Sequence, residues 1–208
     1  MSSYEESYYI IFRDYELKEY NNKLVPTPKT ANRDWEFEKL NFDLEPLEFL
    51  SKNSNLNFLK KGMGIAFAAP HFVVTDKLKN CIDFGLYGSQ FYPASVYDSK
   101  GNVVEGLWAL NTFRALDCLD VKQSNVYLPD NEVTDIGGFD VMPDVDVYHF
   151  DKGVLDSIPE DERLIFQIDN TTIAEFFFHQ RVVDIFKKNN VKGVNFFKVS
   201  EFKSGDEF

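Results

Sequence analysis

The chain has 208 residues, 44% hydrophobic and 16% aromatic, with 21 Phe and 10 Tyr; this excludes a disordered chain, which could not bury enough surface to offset its ordering entropy. Its length fits a single domain spanning 1–208, with an N-terminal part over 1–70 and a core region over 71–199. A formal net charge of -12 argues against a nucleic-acid or anionic-membrane binder, which would be repelled, and favours a basic partner.

In chain order, the start MSSYEESYYIIF lacks the basic region of a secretory leader, and Tyr8–Arg13 reads as a short edge strand. The polar VPTPKTANRD reads as a loop. Residues 44–53, LEPLEFLSKN, space Leu44, Leu47 and Leu50 as a helix would, with Pro46 in the first turn. GMGIAFAAP supplies a flexible entry, a small-residue strand and a proline stop; its Gly-Met-Gly lacks the remaining pattern of a phosphate loop. Residues 72–74 read as a strand, Thr75 or Asp76 as the cap of a helix through Leu78, Cys81 and Ile82, Gly85 as its end, and Ser89–Tyr97 as a second strand. A hairpin turns near Asp98-Ser99-Lys100-Gly101 and returns over 103–111. VDVYHFDKGVL and RLIFQID read as two further strands.

The segment FFFHQRVVDIFKKNNVKGVNFF repeats the 72–97 unit at a constant offset of 105, with Leu78 on Val183, Gly88 on Gly193, Phe91 on Phe196 and His179 on Val74. We therefore expect an α+β fold: a largely antiparallel sheet with a few short helices packed on it, containing two similar strand-helix-strand units.

Signals for chemistry are sparse. His71, His149 and His179 are the only histidines and no two have metal-ligand spacing. There is no Gly-x-Ser-x-Gly, and Cys81 and Cys118 sit in apolar segments, as reduced core thiols would. Asp140, Asp144 and Asp146 do not fit a calcium loop, and Arg114 and Asp117, three apart, read as an ion pair. We expect no catalytic residue, metal or cofactor. Between Gln123 and Asp151 there is no Lys or Arg but seven acids, which reads either as a solvated acidic loop or, more sharply, as a docking surface for a basic protein. Its candidate contacts are Asp135, Asp140, Asp144 and Asp146, with Phe139 and Tyr148 as anchors. No run approaches the ~20 apolar residues needed to cross a bilayer, and with the free cysteines this gives a cytoplasmic expectation.

Three stretches, FVVTDKLKNCIDFGLYGSQFYPASV, WALNTFRALDCLDVKQS and EFFFHQRVVDIFKKNNVKGVNFF, resemble in order and character a bacterial immunity-protein family typified by a myxobacterial antidote and first catalogued as a domain of unknown function. They lie within residues 72–199; the first 70 residues carry little of the likeness. The family often has Ser or Thr where this chain has His179-Gln180. The resemblance implies a small cytoplasmic protein that neutralises a cognate toxin domain by occlusion; a basic toxin, such as a nuclease, is inferred from the acidic charge of this chain alone. The alternatives are an enzyme that reverses a toxin-made modification, with His179 as acid–base group, and a non-catalytic scaffold module.

Overall fold

The computed structural model describes residues 3–17, 23–33, 35, 37–60, 62–127 and 142–207. The fold is α+β. The first strand, β1 (Tyr8–Arg13), has the predicted bounds but is no edge: it lies between two later strands. β2 (Leu24–Pro26) leads into a one-turn helix, α1 (Pro28–Ala31), where a loop is expected. Thr27 caps α1 by accepting from Thr30 N, and Pro28 occupies the first helical position, where a missing N–H costs nothing.

Residues 44–53 do not form a helix. They contain β3 (Leu47–Ser51), in which Leu47, Phe49 and Ser51 are buried while Leu50 faces out. The helical spacing of Leu44, Leu47 and Leu50 is coincidental; the period-2 pair Leu47 and Phe49 is what the interior takes up, and tertiary pairing overrides local preference. After α2 (Asn57–Lys60) come β4 (Ile65–Ala68), β5 (His71–Thr75), α3 (Asp76–Ile82), β6 (Ser89–Tyr97) and β7 (Val103–Thr112).

These strands curl in the order β2-β3-β6-β7-β5-β4, and a bridge from Lys23 to Phe67 joins the two outer strands into a nearly closed six-stranded barrel. All neighbours are antiparallel except β3 with β6, and the Lys23–Phe67 bridge is also parallel. So narrow a barrel leaves room only for side chains. Ala66, Ala68, Ala94 and Ala109 make space inside for Phe49, Tyr92 and the inserted Trp35.

The remaining elements are β8 (Asn125–Tyr127), β9 (Asp144–Val147), α4 (Lys152–Asp156), β10 (Ile165–Gln167), β11 (Phe176–His179), α5 (Gln180–Lys188) and β12 (Val194–Lys198). The predicted strand over VDVYHFDKGVL is shorter than expected, because the Asp151 side chain accepts from Val154 N and starts α4. A second, wholly antiparallel sheet runs β10-β11-β1-β12. Its inner face, the barrel's outer wall, α3 and α5 enclose a shared core of Phe72, Leu78, Phe91, Phe176, Phe178 and Phe186. Its outer face carries Tyr8, Ile10, Phe166 and Phe177 under the β8–β9 ribbon, α4 and Phe202. Both cysteines are free, and Cys118 is buried. Among the described residues no helix is long and apolar enough to cross a membrane.

The two strand-helix-strand units are β5-α3-β6 and β11-α5-β12, but their register differs from the ungapped expectation. Phe72 and Val74 share the central core with Phe176 and Phe178, and Leu78 and Ile82 with Val182 and Phe186. The offset is therefore 104 through strand and helix and 105 from Gly88 and Gly193 onward, so one residue is gained in the turn after the second helix. An offset of 105 in the strands would have turned every side chain to the wrong face. The corrected register sets His179 against Thr75, and both are N-caps: Thr75 Oγ1 accepts from Leu78 N at 3.4 Å and His179 Nδ1 from Arg181 N at 3.3 Å.

Gly88 has φ +56 and gives no room for a side chain, since a Cβ there would lie 1.8 Å from the Arg114 carbonyl oxygen. Gly101, at φ +82, opens onto free space. Gly88→Ala should destabilise the protein by roughly 3 kcal/mol, and Gly101→Ala by about 1 kcal/mol. Urea denaturation of both variants checks this difference; equal losses would refute the close approach.

Candidate functional site

Of the predicted contacts, Asp135, Phe139 and Asp140 lie outside the described residues. Asp144 is exposed at the start of β9. Asp146 is committed internally: Asn125 Nδ2 donates to its Oδ2 at 2.9 Å and Ser204 N to its Oδ1 at 3.2 Å, tying the C-terminal turn to the ribbon. Tyr148 is not a surface anchor. It is 2% exposed, its ring edge-on to Phe177 at 5.3 Å, because the residue after β9 turns into the outer core of the second sheet.

The histidines do not converge on a reactive centre. His71 is buried beside the Trp35 and Phe176 rings, and burial pulls its pKa down to about 4. His179 is spent on capping α5, edge-on to Tyr8, with Glu160 Oε2 3.8 Å from Nε2. Burial lowers its pKa against the opposing pull of Glu160. His149 lies 3.8 Å from Glu5 Oε1. Arg114 and Asp117 are not on a helix, so their spacing does not bring them together; Arg114 lies instead over the Tyr87 ring, 5.4 Å from its centre. Among the described residues no group of three or more His, Cys, Asp or Glu is placed to hold a metal ion.

Three clefts surround the 169–175 loop, which joins β10 to β11; a further one, about 700 Å³, lies away from it between Lys60, Asp76 and Glu105. Asn170, at φ +58, starts its turn. The loop is then held by Thr171 Oγ1 donating to Ile173 O at 2.7 Å, Thr172 Oγ1 to Met142 O at 3.0 Å and Gln167 Nε2 to Ala174 O at 2.8 Å. Ile173, pushed out to 60% exposure, lines three clefts. The largest, about 730 Å³, is walled by Phe37, Pro70, His71, Arg114, Met142 and the loop itself. Phe37 and Met142 are 75% and 48% exposed, so its rim is apolar.

On the loop's other side a cleft of about 310 Å³ is lined by Phe12, Tyr127, Asp144, Tyr148, Glu175 and Glu207. A groove of about 280 Å³ shares Phe12, Ile173, Glu175 and Glu207 with it and adds Arg13, Tyr15 and Lys23. Glu175 lines both, 8% exposed, with its Oε2 buried and, among the described residues, without a hydrogen-bond partner. Burial pushes its pKa up to about 7; a hydrogen bond with the Tyr148 hydroxyl opposes the rise, and Glu207 and Asp144 add to it. The Tyr148 phenol is itself pushed far up, first by burial and then by Glu175.

Glu175, Ile173 and Glu207 were not singled out in the sequence. The one signal was a glutamate abutting Phe176-Phe177-Phe178, a charge at the mouth of a buried run. No protein-family model matches the chain, and no curated protein matches it. Fold and site thus define an α+β protein built of a barrel and a sheet, with an acidic cleft beside an apolar one.

Because the folded state holds the Glu175 proton more tightly than the unfolded chain, its contribution to stability is full below about pH 4.5 and is lost as pH rises through about 7. The loss is on the order of 3 kcal/mol. Glu175→Gln should flatten that decline between about pH 5 and pH 8. Urea titrations at both pH values read it directly; a variant as pH-dependent as the wild type would remove Glu175 as the cause.

Proposed function

We propose that this protein is a cytoplasmic immunity protein that binds a basic antibacterial toxin domain and neutralises it by occlusion. The observation that carries this reading is the neighbourhood of the 169–175 loop. Exposed apolar side chains, Phe37, Met142 and Ile173, stand beside acidic ones on a chain of net charge -12. Long-range attraction from Asp144 and the Lys- and Arg-free stretch 123–151 steers a basic partner in and sets the association rate. Burial of Ile173, Phe37 and Met142 then sets residence time, a role the sequence reading gave to Phe139, which lies outside the described residues, and to Tyr148, which is buried. A nuclease suits the role, since an enzyme that approaches phosphates is commonly basic.

The enzyme alternative rests on His179, whose ring nitrogen is used as a helix cap and which lines none of the three clefts. Nothing in the site favours it.

The partner is sought in the reading frame immediately upstream, as the variable C-terminal domain of a large secreted protein, by co-purification. Against that domain, Asp135→Lys, Asp140→Lys and Asp144→Lys combined should slow association by about tenfold or more at low salt, an effect that fades at high salt. Ile173→Ala should leave association alone and speed dissociation about tenfold. Stopped-flow binding separates the two rates. Unchanged association in the triple-lysine variant would remove this surface from the proposal.

A further inference from the structure

The 310 Å³ cleft has a composition that a general docking face does not need. Its three carboxyl groups come from different parts of the chain: Asp144 from β9, Glu175 from the edge of β11 and Glu207 from the C-terminal turn. Among the described residues none of the three is in an ion pair. The rest of the lining includes the aromatic residues Phe12, Tyr127, Tyr148 and Phe202 among aliphatic and hydroxyl side chains, with Tyr127 63% exposed and Tyr148 buried at the inner wall. Glu175 is more than nine-tenths buried and, among the described residues, its Oε2 has no hydrogen-bond partner. A buried acceptor left unmade is costly, so its retention calls for a donor that arrives from outside.

We propose that this cleft is the receptor for one arginine side chain of a basic polypeptide partner, its guanidinium seated between the aromatic rings and donating to the Glu175 carboxylate. Carboxylates and ring faces both attract a cation. A planar guanidinium is favoured over an ammonium ion because it stacks on rings, sheds water more readily and offers paired donors to a carboxylate. The volume is at the bottom of the range for small-molecule pockets, the scale of a single side chain. The entry side is fixed by charge. In the adjoining groove Lys23 and Arg13, the latter over the Tyr15 ring at 4.5 Å, offset the shared Glu175 and Glu207, whereas the end lined by Tyr127 and Asp144 carries no cation among the described residues and attracts one more strongly.

The proposal deepens the immunity-protein reading by naming the feature of the toxin that is gripped, and it rests on that reading only for the source of the arginine. It also links occupancy to protonation. In the empty cleft Glu175 faces Tyr148, Glu207 and Asp144 with Arg13 and Lys23 farther along the groove, and holds its proton up to about pH 7. An arriving guanidinium favours the carboxylate and expels that proton.

The test uses the whole chain labelled with ¹³C-glutamate, the Glu175 carboxyl signal being assigned by its loss in Glu175→Gln. That signal is titrated against pH in the presence of Nα-acetyl-arginine N-methylamide or of the matching citrulline compound, which keeps the shape without the charge. The arginine compound should lower the Glu175 midpoint by about half a pH unit or more and shift the Tyr148 ring signals, while the citrulline compound should do neither. Equal midpoints with both compounds overturn the proposal, whatever the protein's biological partner. If a toxin domain is captured and Asp144→Asn with Glu207→Gln leaves its affinity unchanged, the cleft is not the gripping site even though the immunity reading stands. A loss of about tenfold or more in that affinity supports it.

Discussion

Successive side chains of a strand leave opposite faces of the sheet, and β11 places Phe176, Phe177 and Phe178 where that alternation joins two cores at once. Phe176 and Phe178 enter the space shared with the barrel and the helices, meeting Phe72 edge-on at 5.5 and 5.8 Å. Phe177 turns the other way, against Phe166, Tyr148 and Phe150. A slip of one residue would empty the shared core of two rings and overfill the other. The barrel's position, the seating of the β8–β9 ribbon and the course of the loop preceding β11 all follow from holding those three residues in register. Glu175 is held by the same register, one step before the first ring, and so is carried below the surface.

Two buried ionisable groups show contrasting solutions to one constraint. Arg163 is 4% exposed yet well supplied with acceptors. Its Nε donates to the carbonyls of Leu155 and Ile158 at 3.1 and 3.0 Å, one terminal nitrogen donates to the Tyr8 hydroxyl, and Tyr4 covers its face. Such a group fixes the α4 turn to the second sheet and has no capacity left for chemistry. Glu175 keeps one oxygen unmatched and gathers further negative charge around it. The first arrangement is a structural clamp; the second is an incomplete site.

Where a pattern was local, it could be read from the sequence. β1 and β6 were recovered to the residue because each is an aromatic-rich run contained within a single short window. The caps Thr75 and His179 mark the same handover from strand to helix, and a ring nitrogen in place of a hydroxyl is enough to serve. β3 was misread because its partner, β6, pairs in parallel from a distant segment, so local spacing competed with information that the window did not contain. Tyr148 was misplaced for the same reason: an aromatic in an acidic run looks exposed until the sheet that buries it is known. The acidic cleft was beyond reach, since Asp144 meets Glu175 only through the loop bond from Thr172 to Met142, and Glu207 joins them only where the C-terminal turn folds back on the ribbon through Ser204 and Asp146.

The placement of β1 between β11 and β12 bears on how the chain is made. The barrel strands follow one another from Leu24 to Thr112 and can pair as they leave the ribosome. β1 emerges before all of them, yet its hydrogen-bonding neighbours begin only at Phe176 and Val194. Its apolar run, Tyr8 to Phe12, must therefore stay uncommitted until those strands are made, and the loop that then closes is long. The second sheet, and with it the cleft floored by Glu175, therefore forms only once β11 and β12 have been made, later than the barrel can.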